Sequence, residues 1–274
     1  MKAYILRRRK LGRTSCKEIS KQTDKRIISR RDAVAIKEDA DIVFRWGCTS
    51  NIPCKNVVNT AEAIHEVNDK MAFRMVMDKA DLCPETYTNA EECEDNYPLV
   101  VRPKTHSRGK HLYVVKNRVE LMTATRKCGA GWYASPLINK TEEFRVFIVQ
   151  GRAVAVAKKT PGNPEDVAWN VAKGGRFDNV SWDDWNLKVV RYAIEAFNLS
   201  KLDFGGVDVM LDGAGNVYVI EINSAPSLTS EYRQQCFAKA FDHILINGKE
   251  RMVLKEKKGG YRKFIHPAIC DNAE

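Results

Sequence analysis

Residues 205–227 read GGVDVMLDGAGNVYVIEINSAPS. Two apolar runs flank a DGAG turn, so the stretch reads as an antiparallel hairpin. Each arm carries one acid among apolar neighbours, Asp208 in GVDVM and Glu221 in VIEIN. A turn centred between Ala214 and Gly215 sets Asp208 directly opposite Glu221. Side chains alternate along a strand, so Glu221 and Asn223 share a face. Opposed residues bring their Cβ atoms to about 4.5–5.5 Å, where like charges are destabilising. A divalent cation offsets that repulsion, and two carboxylates with an amide oxygen make a hard, all-oxygen site suited to Mg²⁺. Magnesium so bound completes its shell with substrate phosphates, which makes a nucleotide the expected ligand. The competing reading is an edge hairpin with one acid in solvent or paired with a lysine. The EINSAP ending, with a third oxygen ligand and a strand-ending proline, favours the metal.

Upstream, PLVVRP and LYVV read as strands either side of the polar loop KTHSRGKH. EFRVFIVQG and AVAVAKK read as longer strands joined tightly at Gly151-Arg152. TAEAIHEVNDKMAFRMVMDKA has helical spacing in two pieces with Thr60 as N-cap, and helices follow over WDDWNLKVVRYAIEAFN and from Ser230 to Ile246. DADIVFRWG reads as a short buried strand. Antiparallel strands alternating with helices give an α+β class with more than one sheet.

The 274 residues, 44% hydrophobic and 29% charged, suit a globular chain of one large domain or two modest ones. No apolar run approaches the roughly 18 residues of a membrane span. The opening MKAYILRRRK lacks the layout of a secretory signal. Eight cysteines without a C-x-x-C pair argue against a zinc site and against a disulfide framework, so a cytoplasmic location is expected. The net charge of +10 is concentrated: residues 1–31 hold twelve Lys or Arg against Glu18 and Asp24, leaving a neutral remainder. Such a segment suits an anionic partner. Nucleic acid is disfavoured, because Tyr4 is its one aromatic.

With these motifs in order, the sequence resembles the ATP-grasp enzymes, most closely the RimK-type glutamate ligases and the D-alanine–D-alanine ligases. The likeness covers roughly residues 60 to 230. It implies an ATP-grasp fold, two α+β subdomains clasping ATP, behind a short basic N-terminal domain. The implied divisions are 1–60, an ATP-grasp domain at 61–248 with its lid at about 82–136, and a charged tail at 249–274. By resemblance, Asp208, Glu221 and Asn223 hold two Mg²⁺ ions, with Mn²⁺ as a substitute. Lys70, Arg102, Lys104, Ser107, Gly109 and Lys158 contact ATP, Ser135, Pro136, Leu137 and Ile138 form the adenine hinge, and Arg145 and Lys158 are catalytic. Lys159 is then the outward-facing neighbour of Lys158. Asn170, Gly174 and Gly175 border the substrate. Three departures stand out: Arg102 replaces a lysine, Ser227 a glycine after Pro226, and Gly206 an arginine of the D-alanine ligases.

The implied activity is carboxylate–amine ligation: ATP phosphorylates a carboxylate, and an amine attacks the acyl phosphate to give an amide, ADP and phosphate. The basic segment suggests an acidic carboxyl donor, such as an acidic protein tail. An amino acid, peptide or protein tail is the expected partner, and pairing into a homodimer is common among relatives. Two other classes fit less well: an ATP-grasp kinase acting on a hydroxyl, and a basic nucleic-acid-binding protein with an inactive nucleotide domain.

Overall fold

The computed structural model describes residues 2–8, 12–23, 25–36, 40–106, 111–169 and 174–250. Ser107, Gly109, Asn170 and nearly all of the charged tail lie outside the described residues. Lys249, at the start of that tail, donates to the Val57 carbonyl at 3.0 Å.

The basic N-terminal stretch is a folded layer. Strands β1 (Ala3–Arg7), β2 (Arg26–Ser29), β3 (Ile42–Trp46) and β4 (Val57–Val58) form a parallel sheet in the order β2-β1-β3-β4. Helix α1 (Arg13–Thr23) connects β1 to β2. Ile5 and Leu6 point to opposite faces and both are buried, as parallel strands covered on both sides require. The charge therefore sits on the ends and helices of a packed unit. Lys25 is buried outright and pairs with Asp242.

Two helices follow, α2 (Ala61–Asn68) and α3 (Lys70–Asp78). Thr60 caps the first by accepting from Ala63 N at 3.1 Å. Asp69 ends that helix and caps the second, its Oδ1 accepting from Ala72 N at 3.1 Å. The small three-stranded sheet comprises β5 (Leu99–Pro103), β6 (Tyr113–Val115) and β7 (Trp132–Pro136), ordered β6-β5-β7. Helix α4 (Arg118–Cys128) packs Leu121 and Ala124 against its Leu99, Val101 and Ala134.

The central sheet is antiparallel, ordered β10-β9-β8-β11-β12. Its strands are β8 (Lys140–Val149), β9 (Arg152–Thr160), β10 (Arg176–Val180), β11 (Phe204–Asp212) and β12 (Val217–Asn223). One face, with Val146, Val207, Val209 and Ile222, packs on α2, α3 and α5 (Leu187–Leu199). The other, with Phe147 and Phe204, packs on Trp46 of the N-terminal sheet and on Phe237 and Phe241 of α6 (Glu231–Asn247). Small residues on β9, Ala155 and Ala157, belong to that second core and let α6 approach the sheet.

Two β-bulges set which side chains reach which face. In the β11–β12 hairpin, Leu211 pairs with Val217 and Val209 with Val219, but Asp208 pairs with Glu221. The turn is thus one residue tighter than a centre between Ala214 and Gly215 gives, and the extra residue Ile220 restores the pairing. A single-residue slip exchanges the faces. Val217 and Val219 point into the helix-covered core, as does Ile222, so Glu221 and Asn223 emerge on the opposite side. In the β8–β9 hairpin, Ile148 pairs with Ala153 but Phe147 with Ala155, leaving Val154 as the bulged residue.

Candidate active site

The second face of the central sheet carries a continuous row of polar side chains. Arg145 on β8 pairs with Asp208 on β11, and Asp208 with Glu221 on β12. The Arg145 guanidinium grips Asp208 with two bonds, Nε to Oδ1 at 2.5 Å and Nη2 to Oδ2 at 2.7 Å. Burial works against the Arg145 charge, but the Asp208 carboxylate outweighs it and keeps the group protonated above its ordinary range. Gly206 makes this geometry fit: a Cβ there would lie 3.0 Å from Pro226 Cβ and 3.3 Å from Arg145 Cδ. The missing side chain at this position thus gives Arg145 its room.

Glu221 is held from the α3 side. Lys70 Nζ donates to Ile222 O at 2.8 Å and lies 4.0 Å from Glu221 Oε2. Asn223 Nδ2 donates to Glu221 Oε1 at 3.1 Å. Burial pushes the Glu221 pKa up, but Lys70 and Arg102 outweigh it and hold the carboxyl down at about 2. Arg74, one helical turn beyond Lys70, is buried and donates to Val219 O at 3.1 Å and Ile220 O at 2.9 Å. Four residues of helix rise about 6 Å, and two residues of strand rise about the same. Lys70 and Arg74 therefore satisfy the free carbonyls of edge strand β12 in step.

The small sheet faces this row. Arg102 on β5 leaves a buried Nε without a partner, and burial lowers its pKa. Lys104 reaches across to Asp69 at 2.9 Å, joining the small sheet to the cap of α3. His106 Nε2 lies 2.7 Å from Tyr133 Oη, while its Nδ1 is buried without a partner among the described residues. Burial first, then the Arg102 charge, pushes the His106 pKa down to about 3. At the hinge, Leu137 N donates to Pro98 O and Ile138 O accepts from Lys140 N, both at 2.9 Å. Ser135 is buried within reach of Arg74, and Pro136 pairs with Leu99.

Lys158 does not join this constellation. The bulge at Val154 sets Ala157 opposite Arg145, which turns Lys158 to the other face, where it pairs with Glu142. Lys159 takes the inward position: it is buried, pairs with Glu143, and stands 5.4 Å from the centre of the Phe177 ring, over which Arg145 also lies at 4.6 Å. The alternation is the reverse of the expected one. Gly174, with φ of +83°, and buried Gly175 lead into β10 just before Phe177. Arg74, Lys159, His106 and Tyr133 were not expected from the sequence. Arg74 had a readable signal, its i,i+4 spacing from Lys70.

The arrangement makes a pH dependence. Glu221 and His106 both titrate lower in the folded chain than in the unfolded one, so the folded state binds fewer protons and stability falls with acidification. The His106 contribution is lost between pH of about 6.5 and 3, and that of Glu221 between about 4.5 and 2. Melting temperatures of the wild type should therefore decline from pH 6.5 downward. A His106→Gln variant should be flatter between pH 6.5 and 4.5. Equal slopes there would show that His106 does not titrate as described.

The N-terminal layer lies beside the same site. Leu228, just past Asn223, donates its N–H to Ser15 Oγ at 2.9 Å, and a Cβ on Gly47 would sit 2.8 Å from Ala225 Cβ. The carboxyl ends of β1 and β3 thus open next to the loop that follows the hairpin.

Known proteins share this architecture. The D-alanine–D-alanine ligase of Fusobacterium nucleatum subsp. nucleatum is 27% identical over 163 residues, 53% of this chain and 52% of the relative. That of Laribacter hongkongensis is 29% identical over 168 residues, 58% of this chain and 52% of the relative. The chain spans about half the length of the curated relatives it matches. Among solved structures, the D-alanine–D-alanine ligase of Bacillus anthracis complexed with ATP superposes with a TM-score of 0.65 at 14% identity, covering 90% of this chain and 96% of the other. A Chryseobacterium gregarium RiPP-associated ATP-grasp ligase in complex with ADP and a leader and core peptide gives 0.65 at 13% identity, covering 92% and 100%. At such identities the likeness is one of fold. The model of the RimK-like ATP-grasp domain matches residues 79–241, more than half of the sequence, and the chain belongs to that family.

Proposed function

We propose that the protein is an ATP- and magnesium-dependent carboxylate–amine ligase that works through an acyl phosphate. The observation that carries this reading is the row Arg145–Asp208–Glu221, in which two acids directly opposed across a hairpin are bracketed by Lys70 and Arg102. Among the described residues no three His, Cys, Asp or Glu side chains cluster as a metal site. The donor set is instead the mixed one of Asp208, Glu221 and the Asn223 amide. Its chemistry fits Mg²⁺: all donors are oxygen, and Glu221 is ionised at neutral pH. Magnesium bound there would screen the charge of the ATP phosphates during transfer.

The chain's own groups supply the remainder. Lys70 and Arg102 stand ready for the phosphate oxygens, and Arg102 has a donor to spare. Arg145 is positioned by Asp208 and its place against Phe177 to face the group in transfer. The small sheet, tied by Lys104 to Asp69, would close over the nucleotide and keep water from the acyl phosphate. No nucleophilic Ser or Cys is needed, because phosphoryl transfer is largely positioning and electrostatics. The similar proteins support the reading: the relatives are D-alanine–D-alanine ligases, and an ATP-grasp ligase of the same fold is seen with ADP and a leader and core peptide.

The direct test is ADP release from ATP and magnesium with pooled amino acids and acidic peptides. Release that depends on an added amine, with an amide found by mass spectrometry, supports ligation. Amine-independent release with a phosphorylated hydroxyl would make the enzyme a kinase. Within the same assay, Lys159→Ala should lower kcat about tenfold or more by removing a cation from the reactive face. Lys158→Ala should change it by about twofold at most, as an exposed residue. The opposite ranking would return Lys158 to the site.

A further inference from the structure

Arg233 lies in the first turn of α6 and is 2% exposed, yet no carboxylate among the described residues pairs with it. Its partners are all neutral: Nε donates to Ser230 Oγ at 2.7 Å, and Nη2 to Phe177 O and Thr229 Oγ1, both at 3.2 Å. Its Nη1 is buried without a partner among the described residues. The acid whose charge acts on it, Asp178, is already engaged by Thr160 and Arg176. A second guanidinium, that of Arg145, opposes its charge from the same face of the sheet. Arg145 is itself paired with Asp208, so the buried Arg233 is the guanidinium left without a carboxylate, and such a charge is costly and calls for an anion.

The place of Arg233 says which anion. Its guanidinium stacks 5.6 Å from the Phe147 ring, and its backbone partner Phe177 carries the ring under Arg145. Ser230, which anchors Nε, also bonds Asn179, a residue of the row that runs through Ala157 to Arg145. Asn179 and Thr229 are exposed and Phe177 half-buried, so the guanidinium lies one side chain beneath the surface. We propose that Arg233 is a specificity-determining residue that binds a substrate carboxylate other than the one being activated. This rests on the ligase reading above. Entry of the substrate moves the exposed Thr229 hydroxyl aside, and the planar guanidinium then takes the carboxylate through its Nη1–Nη2 edge. The substrate pair thus includes an acid beyond the reacting one, carried either by the acyl donor, as in a dicarboxylic or acidic peptide, or by the amine, as in an amino acid.

The test uses the full chain in two arms. In the first, without ATP, arginine Nε and Cζ NMR signals are followed while glutarate is added, with glutaramide as the neutral control. The Arg233 signal, assigned by its loss in Arg233→Gln, should shift with glutarate and not with glutaramide. In the second, steady-state ADP release compares wild type, Arg233→Gln and Arg233→Lys, after thermal melts and ATP affinity have shown the variants to be folded. Arg233→Gln should raise the KM of one substrate about 10- to 100-fold with kcat little changed, and Arg233→Lys should recover part of it. The substrate whose KM moves is the one that carries the carboxylate. An Arg233 signal unmoved by glutarate, or KM values unchanged for both substrates, would make Arg233 a packing residue and overturn the proposal. Absence of ADP release from the wild type would fail the ligase reading alone, since the NMR arm still decides Arg233.

Discussion

An Asp208→Asn variant should lose magnesium-dependent ADP release by about a thousandfold and melt on the order of 10 °C below wild type. The two losses have different origins. Asp208 is the partner of Arg145 through two short bonds, and both side chains are nearly buried, at 8% and 12% exposure. Breaking a buried pair by removing one member costs about 3–5 kcal/mol, because the other charge is left uncompensated. For domains of this size each kcal/mol moves the melting point by about 2–4 °C. Adding Arg145→Met removes the stranded charge, so the double variant should regain most of the lost stability. It should not regain turnover, because the proposed metal ligand and the cation proposed to face the transfer are both gone. Glu221→Gln completes the set by taking the opposed acid and leaving the Arg145 pair intact. Turnover should again vanish, and magnesium with ATP should no longer raise the melting temperature. Turnover in either single variant within tenfold of wild type would mean that the opposed acids do not serve a metal.

The hairpin acids were legible because two departures cancel. Reading a turn between Ala214 and Gly215 puts Asp208 opposite Glu221, yet the actual turn is one residue tighter and Ile220 is inserted as a bulge. The β8–β9 hairpin had no such cancellation. Its turn follows the tight connection at Gly151, but the bulge at Val154 slips the alternation, so Lys159 rather than Lys158 meets the face of Arg145. A period-two pattern cannot show such a slip when both residues are lysine, because either assignment leaves the apolar residues inside. The N-terminal layer was hard to read for another reason. Its strands are only two to five residues long, and arginines and lysines near their ends mask a short apolar core. Arg233 left no sequence signal, since an arginine in the first turn of a helix is ordinarily solvated, and only the approach of α6 over Ala155 and Ala157 buries it. Helices α2 and α3, by contrast, were clear from the Thr60 cap and the apolar spacing.

An Arg74→Met variant should lower magnesium-dependent turnover about a hundredfold and the melting temperature by about 5–10 °C, although Arg74 does not face the row of acids. Its guanidinium bonds the carbonyls of Val219 and Ile220, the two residues at which the bulge forms. Strand β12 is the edge of the sheet, so these carbonyls have no neighbouring strand to bond. From the same side, Val219 N–H donates to Leu82 O at 2.8 Å, fixing the residue just before the slip. Methionine keeps the apolar packing and helix propensity of α3 but leaves two carbonyls without their charged donor, about 2–5 kcal/mol in all. The strand cannot relieve this by sliding. A slip of one residue would turn Glu221 and Asn223 into the core beside Val217 and Val219 and put Ile222 among the charges. The remaining response is local disorder of residues 219–223, which separates Glu221 from Asp208. Arg74→Lys supplies one point charge where a fork spanned two carbonyls, so it should fall between wild type and Arg74→Met in both readouts. Hydrogen exchange gives the deciding comparison: amides of Val219–Asn223 should lose protection in Arg74→Met while those of β8 and β9 keep theirs. Unchanged exchange on β12 together with turnover within threefold of wild type would show that the ladder alone sets the bulge, and that α3 only covers the edge.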